Sequence, residues 1–113
     1  MSSNAKNLKE HLRRVDANTA DAFKHLRDAV IAAGPLDFKT AELIMLGSFA
    51  TAGYEPAVKA HAKRLHNELG VSREAIEHAV LVTFGATATL VRVTEALIWI
   101  DDALAESSAE AAA

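Results

Sequence analysis

The chain of 113 residues contains no cysteine. That excludes a disulfide framework, a thiolate metal site and a thiol nucleophile. Positive charge is not in excess either: 12 lysines and arginines face 15 carboxylates, for a net charge of -3. Without a basic footprint, nucleic acid is not an expected partner. The longest stretch free of charge, Ala79 to Val91, is too short to span a bilayer and is broken by threonines and a glycine, so no membrane association is expected. The opening residues, Met1 to Glu10, are polar and lack the apolar stretch of a signal peptide, which makes the cytoplasm the expected compartment. No glycine-rich phosphate loop, dinucleotide fingerprint or Ser-His-Asp order occurs. The length fits one domain.

What is present reads as helix throughout, with no alternating strand pattern. Residues 1–15 carry Lys6, Lys9, Arg13 and Arg14 against Glu10, a first helix either frayed or docked on a partner. Asn18 or Thr19 can cap a helix running to Ala33, with Phe23, Leu26, Val30 and Ile31 on its inner side. Gly34-Pro35 ends it, because proline disfavours helix at the residue before it. Asp37 caps a helix from Phe38 to Ala52, closed by Gly53. Pro56 suits the first turn of the next, where its missing N–H costs nothing. Gly70 stops that helix, Ser72 caps another from Arg73 to about Gly85, and Thr87 or Thr89 caps a last one from about Ala88 to Ala105. The expectation is an all-α fold, a compact bundle of about five to six helices over residues 1–106, with residues 107–113 a flexible tail. Between Ala79 and Ile100 only Arg92 and Glu95 are charged. A helix that is apolar nearly all round must be covered on every side, so this stretch predicts a homo-oligomer.

On a helical wheel, Glu42 falls between Phe38, Leu46 and Phe49, with Met45 beside them. A carboxylate on so apolar a face needs a partner or a raised pKa, since desolvation penalises its charged form. The partner is either Lys39, one turn earlier, or a group from another helix. His61 lies at the flank of its helix's inward stripe, near Leu65 and Val58. At such a boundary it can serve as an acid/base whose ordinary pKa is near 6.5, or as a structural histidine bonded to a carbonyl. The two helices are joined by a tight turn at Gly53–Glu55, and short connections make antiparallel neighbours. Glu42 and His61 lie at similar distances from that turn, so they are expected within hydrogen-bond reach, directly or through one water, at the wall of a small cavity. Tyr54 is a candidate hydrogen-bond donor, or a residue shielding the helix start. The other histidines carry no metal-ligand spacing, and no metal or cofactor is expected.

Glu42, Tyr54, Ala57 and His61 stand in the order Glu-x11-Tyr-x2-Ala-x3-His, followed by Gly70-Val71-Ser72-Arg73-Glu74. Over about Leu36 to Leu97 this resembles the carboxymuconolactone decarboxylase family, and within it the alkylhydroperoxidase D branch. In that branch the positions of Tyr54 and Ala57 hold the two redox cysteines. The resemblance implies an alkylhydroperoxidase D-like helical fold, assembly as a trimer or hexamer, and a site with Glu42, His61 and Tyr54 as catalytic residues. It also implies a substrate pocket drawing on Leu46, Phe49, Ala57 and Phe84. Two departures stand out. The family's Gly-x-Pro-Ala turn is replaced by Ala86-Thr87-Ala88-Thr89-Leu90, and decarboxylases of the family tend to lack the glutamate found at Glu42.

Three functions compete. The first is a cofactor-independent enzyme for a small carbonyl, keto-acid or lactone compound, by decarboxylase, isomerase or lactone chemistry. The second is a non-catalytic ligand-binding or assembly protein on the same scaffold. The third, a thiol peroxidase, needs two cysteine thiols that the chain does not have.

Overall fold

The computed structural model describes residues 3–112, with side chains described for residues 9–110. Six α-helices follow one another: α1 Ser3–Val15, α2 Ala17–Ala32, α3 Phe38–Ala52, α4 Glu55–Lys63, α5 Arg73–Phe84 and α6 Leu90–Ala112. A π-helical turn, Arg64–Glu68, extends α4. No strand occurs among the described residues. The all-α expectation holds.

The helix starts follow from local chemistry. The Asp37 carboxylate accepts from the Thr40 amide at 2.8 Å, and the Ser72 hydroxyl accepts from the Ala75 amide at 3.1 Å. Each satisfies an amide that the first helical turn leaves unpaired. Thr89 does the same for the Arg92 amide at 3.2 Å. Gly53 closes α3 in the left-handed region, at φ 75°, which glycine adopts without penalty. A Cβ there would also run into the Arg92 guanidinium, so the turn between α3 and α4 is held close against α6.

The core is built from stripes at helical spacing. Leu46 and Ala50 come from α3, Val58 and Ala62 from α4, Ile76 and Val80 from α5, and Val93, Ala96 and Ile100 from α6. Gly47 lets α3 approach α5 closely, since a Cβ there would meet the Thr83 methyl at 3.1 Å. On the far side, Lys63 pairs with Glu106 at 3.0 Å and ties α4 to α6.

Three expectations are corrected. Helix α2 starts one residue after Asp16, not at Asn18 or Thr19, and the Thr19 hydroxyl donates to the Asp16 carboxylate. Its supposed inner side is outward: Phe23, Leu26 and Val30 are more than half exposed, Ile31 is half-buried, and α2 contributes no buried residue. The cause is position. Helix α2 lies chiefly against α1 and the edge of α3, so no second layer covers its apolar stripe. Helix α6 does not end near Ala105 but continues to Ala112, through the segment read as a flexible tail. Alanine and glutamate are strong helix formers, no glycine or proline interrupts them, and Asn67 donates to the Ser107 hydroxyl at 3.0 Å.

Candidate functional site

Helix α3 buries Glu42, Leu46, Gly47 and Ala50 along one side, and α4 buries Ala57, Val58, His61 and Ala62. Glu42 and His61 therefore meet across the hairpin, as the register predicts, and His61 Nδ1 lies 3.0 Å from Glu42 Oε1. Glu42 has no exposed surface at all and His61 is 5% exposed. The histidine is thus inside the fold rather than on its boundary, because Phe49 lies across its ring, centroid to centroid 5.1 Å.

Two arginines complete the cluster. Arg64, one turn beyond His61, donates to the same Glu42 Oε1 at 3.0 Å. Arg27, from α2, reaches His61 Nε2 at 3.4 Å and the Met45 sulfur at 3.3 Å. A guanidinium has donors only, so Nε2 is the accepting nitrogen and the ring proton sits on Nδ1, donated to Glu42. His61 is accordingly neutral with one defined tautomer. Burial lowers its pKa below the ordinary value; Glu42 opposes the shift, while the charges of Arg64 and Arg27 add to it. Glu42 Oε2 is buried with no hydrogen-bond partner.

The sequence-derived residues fall into two groups. Glu42, His61 and Phe49 are in contact. Tyr54 is one ring removed, its ring edge against Phe49 at 5.8 Å, and it is 40% exposed at the start of α4. Leu46 and Ala57 are buried core residues, and Phe84 is half-exposed at the end of α5. Two apolar clefts lie elsewhere. One of 330 Å³ is bordered by Val30, Ile31, Met45 and Ser48, and one of 730 Å³ by Leu43, Gly47, Val82 and Ala86. Neither is lined by Glu42 or His61. Lys39, the alternative partner for Glu42, is exposed at the opening of α3. Arg64 and Arg27 were not singled out from the sequence. The spacing His61-x2-Arg64 carried a signal, since residues three apart share a helix face. For Arg27, 34 residues from His61, no local signal existed.

A family model described as the carboxymuconolactone decarboxylase family matches residues 17–102. The chain belongs to that family. The match takes in α2 and the first half of α6, extending on both sides beyond the Leu36–Leu97 segment that carries the sequence resemblance. No curated protein matches the chain. This is a member of the carboxymuconolactone decarboxylase family without cysteine. Among the described residues, no group of three His, Asp or Glu side chains could hold a metal ion, and no helix is long and apolar enough to cross a membrane.

Proposed function

We propose that the protein is an acid/base enzyme needing no cofactor, which moves a proton at a carbon next to a carbonyl in a small keto-acid or lactone compound. Decarboxylation of a β-keto acid, isomerisation through an enol and eliminative opening of a lactone all include such a step. The supporting observation is the buried Glu42–His61 pair, in which the carboxylate holds the proton on Nδ1 and leaves Nε2 as the accepting nitrogen. In this reading Nε2 takes the proton, and Glu42 stabilises the imidazolium that forms and holds the ring in place. Arg64 holds the Glu42 carboxyl in place through Oε1, and Tyr54 donates to the developing oxyanion. A neutral histidine with a lowered pKa is unprotonated at neutral pH, the state a general base requires.

The test is deuterium exchange. Keto acids and lactones incubated with the protein in deuterated water are followed by proton NMR. Loss of the signal next to the carbonyl, or product formation, faster than in buffer is the expected result. A panel in which no compound exchanges or reacts above the buffer rate overturns the reading.

Assembly is proposed alongside. Leu81, Val82, Phe84, Leu90, Val91 and Ile98, all within the nearly uncharged Ala79–Ile100 stretch, are about half exposed or more in the single chain. Large apolar residues exposed in such number along one segment point to association. We propose a homotrimer or a multiple of it, joined through this segment. Light scattering at micromolar concentration is expected to give at least three times the 12.1 kDa chain mass; a stable monomer refutes the proposal.

A further inference from the structure

We propose that Arg27 is a displaceable cap on His61, drawn off Nε2 by the carboxylate of an incoming ligand, so that binding a small organic anion is what exposes the base. This rests on the acid/base reading above and narrows its substrate to compounds carrying a carboxylate.

Nε2 is the nitrogen that must face the substrate, because Nδ1 is engaged with Glu42. In the ligand-free protein that nitrogen is occupied by Arg27. The occupant is poorly matched. Arg27 is half-buried, and its two side-chain hydrogen bonds go to neutral acceptors, a thioether sulfur and an imidazole nitrogen. Among the described residues it makes no salt bridge with any carboxylate. Sulfur is a weak acceptor, and the contact to Nε2 is long. A carboxylate offers the guanidinium two charge-assisted bonds in parallel, each roughly twice as strong as a neutral one. The exchange therefore favours the anion.

The charge around His61 points the same way. The groups that face it are Glu42 from α3, Arg64 from the π turn and Arg27 from α2; Phe49 and Met45 are uncharged. Two guanidiniums stand against one carboxylate, leaving a net positive charge beside the His61 ring. Glu42 is already shared between His61 and Arg64, so Arg27 is the cation left over. Its helix is held loosely, with no buried residue, which allows the guanidinium to swing without disturbing the core. When it leaves with the ligand carboxylate, the positive charge beside Nε2 is neutralised and the ring becomes more basic as the substrate arrives.

The experiment uses the full chain with isotopically labelled histidine and nitrogen NMR of the His61 ring. Levulinate and its methyl ester are the probes, identical in their ketone and different in charge. Levulinate is expected to shift the Nε2 resonance saturably, and the ester is not. Arg27→Gln is expected to weaken levulinate binding about tenfold or more, equivalent to about 1.4 kcal/mol. It is also expected to move the ligand-free Nε2 resonance toward the uncapped position. A response to both probes alike, no saturable response to levulinate, or an Arg27→Gln protein indistinguishable from the natural one overturns the cap. The two readings fail separately. Levulinate shifting His61 through Arg27 without turnover of any substrate leaves the cap and removes the enzyme. Turnover with KM and the Nε2 resonance unmoved in Arg27→Gln leaves the enzyme and removes the cap.

Discussion

Glu42→Ala is expected to destabilise the protein by about 2–4 kcal/mol, the combined cost of an unsatisfied buried donor and an unfilled cavity. The carboxylate is fully buried and receives both His61 and Arg64 on one oxygen. Its removal leaves a buried ring N–H without an acceptor and opens a hole in α3's inner stripe. Glu42→Met separates these effects. It fills the volume without a charge, and replacing a buried ionic group by a well-packed apolar one is often neutral or stabilising. Arg64, whose side chain is 34% exposed, can turn toward water when its partner is lost. Urea unfolding is therefore expected to place Glu42→Met within about 1–2 kcal/mol of the natural protein, and both variants lose turnover. Equal destabilisation by the two substitutions would mean that the lost acceptor for His61, not the cavity, sets the cost, and turnover retained in a folded Glu42→Met would refute the catalytic role of the pair.

His61→Gln removes the proton carrier while keeping a donor for Glu42, and turnover is expected to fall about 10²–10⁴-fold, the usual contribution of a positioned acid/base group. A second readout concerns stability against pH. The folded pKa of His61 lies below its ordinary value, chiefly through burial, whereas the unfolded chain titrates near pH 6.5. Below that pH the unfolded state holds the extra proton. Stability therefore rises with pH through this range and is lost as pH falls from about 6.5 toward the folded pKa. Above it, neutral His61 carries no such penalty. The natural protein is expected to lose melting temperature on acidification from pH 7, and His61→Gln to lose less over the same interval. Unchanged turnover in His61→Gln refutes the catalytic role, and parallel pH curves refute the buried neutral state.

The hairpin that holds this pair was legible because its determinants are local. Asp37 and Gly53 fix where α3 begins and ends, Pro56 marks the first turn of α4, and the register across a short turn places Glu42 opposite His61. The depth of His61 was not legible. It depends on Phe49 and on Arg27, and the latter arrives from an earlier helix whose path no spacing encodes. Helix α2 misled for a related reason. Its apolar stripe is real, but a stripe says only that something must cover it, and within one chain nothing does. The end of α6 was missed because helix propensity in an alanine-rich segment has no stop signal to oppose it.

The absence of any buried residue in α2 also divides the site in time. Glu42, His61 and Arg64 belong to the hairpin packed in the centre of the bundle, the kind of region that opens only when the whole domain does. Arg27 belongs to an element with little to hold it, and such elements open locally and often. One half of the cluster is therefore a fixed template and the other a transient visitor. The base can be sampled without unfolding the walls that orient it.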